Sequence, residues 1–217
     1  MQITHLGHAC LLVDVAGSRL LLDPGAFSTY ADLTDLDAVL ITHQHPDHVE
    51  VDKLSALLER NPAAVVHADP ETTKILAEKE IPATATVVDE SFHIGDVVII
   101  PAGDKHAVIN EYLPRIDNVG LLITAQDEPS LFHPGDALDA HPAGDVDVLA
   151  VPINAPWCAA KETVAFVRRI EPRVVVPIHD ALLSDIGRTF YITQVGSFGR
   201  EGGIEVKDLK GAGATNF

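Results

Sequence analysis

Thr42-His43-Gln44-His45-Pro46-Asp47-His48 follows directly on the apolar run Asp37-Ala38-Val39-Leu40-Ile41. The run reads as a buried strand, so three imidazoles and a carboxylate sit where a strand ends and a loop begins. Alternate residues of an extended chain face the same way, which lets His43 and His45 point at one ion. Pro46 helps the chain turn, and Asp47 and His48 then face a second position beside the first. Imidazole nitrogen and carboxylate oxygen suit borderline divalent metals such as zinc. Burying four such groups without a metal would leave several polar atoms in need of partners. Closed structural zinc sites are typically rich in cysteine, and neither Cys10 nor Cys158 lies near the motif.

Outward from this cluster, 217 residues suit one domain, 1–217, with a full core, and 47% of them are hydrophobic, arranged in short runs. No apolar run approaches the ~20 residues that cross a membrane. Met1-Gln2-Ile3-Thr4-His5 is not a basic region leading into an apolar stretch, so no signal peptide is expected. Two separated cysteines make no disulfide framework, which points to a reducing, cytoplasmic compartment and to small buried side chains. The net charge of -17 opposes non-specific binding to nucleic acid, and no basic stretch reverses it locally.

The chain opens as a meander of strands, with Cys10 to Val15 and Arg19 to Leu22 joined through Ala16-Gly17-Ser18 and stopped by Asp23-Pro24-Gly25. Val51 to Arg60 carries Leu54, Leu57 and Leu58 at helical spacing before Asn61-Pro62. Ala64 to His67 reads as a strand and Pro70 to Lys79 as a helix capped by Asp69. Strands follow at Val97 to Ile100, Val119 to Thr124, Ser130 to His133, Val146 to Ile153 and Val174 to Ile178, with a helix at Lys161 to Ile170. Ile204 to Val206 reads as an edge strand, and Lys210 to Phe217, rich in Gly and Ala, as loose chain. Meanders giving way to alternating strands and helices fit a layered α/β domain.

Two metals need more ligands than the first cluster supplies. His106 follows Val97 to Pro101, Asp136 follows Leu131-Phe132-His133, and His179 follows Val174 to Ile178. Each stands at the end of an apolar strand, where one site can gather all three.

The pattern His43-x-His45-x-Asp47-His48, with His106, Gly135-Asp136 and His179 after it in that order, resembles the metallo-β-lactamase superfamily. Leu6-Gly7-His8-Ala9 and Asp23-Pro24 resemble its branch of metal-dependent hydrolases that includes ascorbate-6-phosphate lactonase. The similarity runs to His179, and the last ~40 residues carry no readable motif. The resemblance implies a four-layer αββα sandwich with two divalent metals at one edge between the sheets. It assigns His43, His45 and His106 to one metal, and Asp47, His48 and His179 to the other. Asp136 bridges both. Asp23 would stand behind the metals as a carboxylate that orients an imidazole, or serve as a turn residue before Pro24. His8 reads as structural rather than as a ligand. His5, His67, His93, His133 and His141 are assigned to no metal, with His133 a packing group or one behind the ligands.

Two divalent ions, two carboxylates and a hydroxide leave about one positive charge in an acidic protein, a centre that attracts anionic or carbonyl oxygen. Zinc lowers the pKa of a bound water to about 7, so metal-assisted hydrolysis is the expected chemistry, with Asp47 orienting the attacking oxygen. Zinc is the first choice, and manganese, iron or nickel is also compatible. A small molecule carrying an ester, lactone or phosphodiester is the expected substrate. A nuclease of the same fold is an alternative that should bring a basic groove, and a non-catalytic metal-binding protein is another. Tyr112, Arg115, Asn154 and Trp157 are the substrate-binding candidates from nearby loops, Arg115 to pair with an anion. For Trp157 core packing is the first reading. A (β/α)8 barrel would take ~250 residues and eight strand–helix repeats, which this chain does not show.

Overall fold

Successive side chains of a strand point to opposite faces, and here both faces are apolar. Leu20 and Leu22 enter one cluster of buried residues while Leu21, between them, enters another. The same split separates Ala38 and Leu40 from Val39 and Ile41, and Val174 and Val176 from Val175. Strands with this pattern must be covered on both sides, which forces a layered arrangement.

The computed structural model describes residues 1–217. Its strands are β1 (Gln2–Gly7), β2 (Cys10–Val15), β3 (Ser18–Leu22), β4 (Ala38–Ile41), β5 (Val65–Ala68), β6 (Thr84–Ala85) and β7 (Phe92–Ile94), followed by β8 (Val97–Ala102), β9 (Gly120–Thr124), β10 (Leu131–His133), β11 (Val148–Pro152), β12 (Val174–Ile178), β13 (Glu205–Val206) and β14 (Thr215–Asn216). The helices are α1 (Val51–Arg60), α2 (Pro70–Glu78), α3 (Ala160–Ile170) and α4 (Asp185–Phe198). Two seven-stranded sheets form, in the orders β14-β1-β2-β3-β4-β5-β6 and β13-β12-β11-β10-β9-β8-β7.

Three apolar clusters fill the three spaces between layers. The largest joins Leu11, Leu20, Leu22 and Leu40 of the first sheet to Ile99, Leu121, Ile123 and Val176 of the second. Leu54 and Leu57 of α1 and Leu76 of α2 pack on the outer face of the first sheet with Leu21 and Val39. Phe166 and Val167 of α3 and Val195 of α4 pack on the second with Phe132, Leu149 and Val175. The layers are therefore αββα, as the resemblance implied. No helix is long and apolar enough to cross a membrane.

The C-terminus departs from the expectation of loose chain. Ile3 pairs with Thr215 and Gln2 with Asn216, so β14 extends the first sheet. The Phe217 N–H donates to the Met1 carbonyl at 3.1 Å, and its ring packs against the inter-sheet core. A two-residue strand has no periodicity to read, and its partner lies at the opposite end of the chain.

Candidate metal centre

β1 and β3 both run antiparallel to β2, and β3, β4 and β5 are mutually parallel. In the other sheet, β8 and β10 both run antiparallel to β9, and β10, β11 and β12 are parallel. His8, Asp23, the 43–48 segment, His106, Asp136 and His179 therefore all follow the carboxyl ends of strands that run alike within each sheet. That edge is where open α/β sheets gather ligand-binding loops.

Eight of these side chains form two groups, each with its ligand-type atoms within 4.8 Å of one another. One holds His43, His45, His106 and Asp136, and the other His8, Asp47, His48 and His179. Asp136 lies between them. Its Oδ2 is 3.4 Å from His106 Nε2 and 3.2 Å from His179 Nε2, and its Oδ1 is 3.1 Å from His48 Nε2. His43, His48, His106, Asp136 and His179 are all buried.

Four of the five imidazoles expected as metal ligands are oriented from behind, and the fifth, His45, places Nδ1 3.1 Å from His43 Nε2. His106 Nδ1 donates to the Ala107 carbonyl at 2.6 Å, and His179 Nδ1 to the Asn154 carbonyl at 2.7 Å. His48 Nδ1 donates to Asp23 Oδ2 at 2.7 Å. Thr42 Oγ1 donates to the same Asp23 oxygen and stands 3.1 Å from His43 Nδ1, whose proton it can accept. A neutral ring that donates through Nδ1 carries its lone pair on Nε2, free for a cation. Accordingly His48 Nε2, His106 Nε2 and His179 Nε2 turn inward, and together with Asp136 Oδ1 they are buried without a hydrogen-bond partner. Orphaned acceptors of this kind, converging from both sheets, are the donor set a borderline divalent cation takes.

A cleft of about 460 Å³ opens beside the centre. Val108, Leu138, Ala165 and Phe166 give it apolar walls, and Arg115, Asp139, Glu162 and Arg169 line it with both signs of charge. Trp157 separates the cleft from the centre, and its indole N–H donates to Asp136 Oδ2 at 3.0 Å. Of the four substrate-binding candidates, Arg115 and Trp157 line the cleft. Arg115 is held by a bond from Nε to the His106 carbonyl. Asn154 contributes its carbonyl to His179, and Tyr112 is 85% exposed, outside the cleft lining.

A family profile described as "Beta-lactamase superfamily domain" matches residues 2–179. The chain belongs to the beta-lactamase superfamily. It is 44% identical to Protein Rv0786c of Mycobacterium tuberculosis, over 88% of this chain and 89% of that one. It is 30% identical to UPF0173 metal-dependent hydrolase MK1542 of Methanopyrus kandleri, over 82% of this chain and 84% of that one, which places it with the metal-dependent hydrolases. Igni18, a metallo hydrolase of Ignicoccus hospitalis, shares the fold with a TM-score of 0.77 at 19% identity, over 100% of this chain and 97% of that one.

Electrostatics in this superfamily member follow from the crowding of carboxylates and imidazoles. Burial drives the His43 imidazole well below its ordinary pKa. Burial works against charge on His179 too, but Asp136 and Asp47 outweigh it and lift that ring to about 9. His48 is raised by Asp136 and Asp23 over a similar burial penalty. Burial pushes Asp47 up, and the imidazoles of His179 and His8 beside it more than reverse this, holding its carboxyl well below the usual range.

Two features escaped the sequence reading. His8 reads in the sequence as structural rather than as a ligand, and what that reading lacks is its place beside Asp47, His48 and His179, its Nε2 3.1 Å from Asp47 Oδ2. The Gly7-His8 pair was its one signal. Arg188 of α4 donates to Asp180 Oδ2 at 2.6 Å, directly after His179, and forms a fork with Asp208. No local pattern announces that network. His133 is buried behind the ligands: its Nε2 is bonded to the Ala9 carbonyl, and its Nδ1 accepts from Gly135 N–H.

Proposed function

We propose that the protein is a dinuclear hydrolase that cleaves an ester, lactone or phosphodiester bond of a small anionic molecule in the cytoplasm. The observation that carries this reading is the convergence of bare Nε2 atoms from both sheets around Asp136. His43, His45 and His106 would hold one cation, Asp47, His48 and His179 the other, with Asp136 shared. Divalent ions there, zinc by the ligand chemistry, would supply Lewis-acid polarisation and a nucleophilic water at neutral pH. Asp47, whose side chain is 24% exposed, would accept a hydrogen bond from the attacking water and orient it. Trp157 keeps Asp136 aimed and walls off the centre. The apolar lining of the cleft supports a substrate with an apolar body, and Arg115, which also reaches Asp139 at 3.4 Å, would pair with its anionic group. The lactone option rests on the Leu6-Gly7-His8-Ala9 and Asp23-Pro24 resemblance. Cys10 and Cys158, both free, support a reducing compartment.

The test joins metal analysis by mass spectrometry to a panel of p-nitrophenyl esters, lactones and bis(p-nitrophenyl) phosphate. The wild type should carry divalent metal and turn over at least one class, and His45→Ala and Asp136→Ala should lose both properties. Bound metal with no turnover on any class would remove the ester, lactone and phosphodiester reading. Unchanged activity in either variant would remove the assigned centre.

A further inference from the structure

The group formed by His8, Asp47, His48 and His179 invites the reading that His8 is a further ligand. We infer instead that His8 is a positioning residue, whose Nε2–H holds Asp47 by a hydrogen bond while the ring stays off the cation. The inference rests on the metal-centre reading above.

It follows from what stands behind each ring. His48, His106 and His179 present Nδ1 to a carboxylate or a carbonyl, groups that only accept, so the neutral ring that binds a cation keeps its proton on Nδ1 and offers the Nε2 lone pair. His8 is reversed. The backbone N–H of Ala181 donates to its Nδ1 at 3.3 Å. A backbone N–H can only donate, so Nδ1 carries the lone pair and the ring proton sits on Nε2. That proton faces Asp47 Oδ2 at 3.1 Å, and a carboxylate oxygen accepts it. Ligation through Nε2 would require the proton on Nδ1, set against the Ala181 N–H, two donors head to head.

The backbone is bent to put this ring in place. His8 has φ +55° after Gly7 at +114°, and a Cβ on Gly7 would come 2.7 Å from the Phe27 carbonyl. His179, also at positive φ (+59°), donates its N–H to the His8 carbonyl at 2.9 Å. Strained backbone at two facing residues marks a place where the surroundings over-determine the geometry. His8 thus fixes His179 through its main chain and Asp47 through its ring.

The ring tautomer of the wild-type holoenzyme is read directly by 15N NMR, with His8→Ala as the assignment control. The expected result is an unprotonated Nδ1 and a protonated Nε2. Metal content of His8→Ala and His8→Gln should match the wild type. With any substrate found by the panel, kcat of His8→Ala should fall about 10–100-fold with KM little changed, the size expected for a partner that orients a ligand. Gln, which keeps an N–H donor, should recover most of it. A protonated Nδ1 in the wild type, or loss of metal in both variants, would overturn the inference. A wild-type protein that binds no metal would remove the metal-centre reading alone, because the tautomer is read with or without the ion.

Discussion

Asp23 accepts a hydrogen bond from His48 Nδ1 at 2.7 Å, and neither side chain is exposed to solvent. The same carboxylate accepts from the Thr42 backbone N–H and from Thr42 Oγ1, both at 2.8 Å. One buried group therefore sets the orientation of His48 directly and of His43 through the hydroxyl. Asp23→Asn keeps the shape but places an N–H₂ where only acceptors are wanted, so at least one of these donors loses its partner. Metal affinity should drop about 10–100-fold, as for other partners that orient metal-binding imidazoles. Competition against a chelator measures it, with circular dichroism to show that the fold persists. Unchanged affinity would mean that Asp23 serves the turn alone.

Metal loading should depend on pH in a defined direction. Without a cation, burial disfavours charge on His179, but Asp136 and Asp47 outweigh it and raise the ring to about 9, while His48 is raised by Asp136 and Asp23. Protons then occupy the place a metal would take. A raised histidine stabilises the apo protein fully below its unfolded value of about 6.5, and the contribution is lost as pH rises through the folded value. Metal must displace these protons, so affinity should strengthen from about pH 6 to 9 with measurable proton release. Calorimetry in buffers of different ionisation enthalpy checks the release. Thermal unfolding should show the apo Tm falling across the same window. Affinity flat with pH would show that both rings are already neutral.

The parts of the fold that were legible are those with strong local patterns. Leu54 and Leu57 at helical spacing mark α1, and the all-apolar Val174–Ile178 marks β12. Asp69 as N-cap accepts from Glu71 and Thr72 N–H, as its place before Pro70 suggested. α4 was not legible. It contains Gly187 and Gly196, and its core-facing Tyr191, Ile192 and Val195 are masked by the exposed Ile186, Phe190 and Phe198, so no clean apolar stripe can be read. The dense 43–48 motif announced itself because its ligand-type side chains are neighbours in sequence. The role of His8 was hidden because it depends on Ala181 and Asp47, which only folding brings near.

Gly25 lies against the ligand loop. A Cβ there would stand 1.8 Å from the Asp47 carbonyl oxygen and 2.5 Å from His48 N, both rigid backbone. The two segments are also tied by Ala26 N–H to the Pro46 carbonyl at 2.8 Å. Gly25→Ala must therefore displace the backbone of Asp47 and His48 from the positions that meet Asp23 and Asp136. The cost in stability should be about 1–3 kcal/mol, typical of overpacking, and metal binding should suffer more than the fold. Denaturant unfolding and metal titration of the one variant separate the two effects. Wild-type metal affinity in Gly25→Ala would show that the loop is free to shift as a unit.

Arg188 anchors the far side of the centre. It is 7% exposed and bonds Asp180 through Nε and Asp208 through its two terminal nitrogens. Asp180 directly follows His179, whose strained backbone leans on His8. Removing the guanidinium leaves Asp180, itself 3% exposed, buried without its cation. Breaking a buried pair in this way costs about 3–5 kcal/mol. Asp208, with its side chain 44% exposed, rehydrates easily, so Arg188→Ala belongs at the low end, about 3 kcal/mol, or a Tm lower by about 6–12 °C. Arg188→Lys should not rescue it, because an ammonium cannot bond both carboxylates in the fork geometry. Calorimetric scans of both variants, with and without metal, give the comparison. A Tm within a degree or so of wild type for Arg188→Ala would show that water reaches Asp180 and that α4 is held by packing alone.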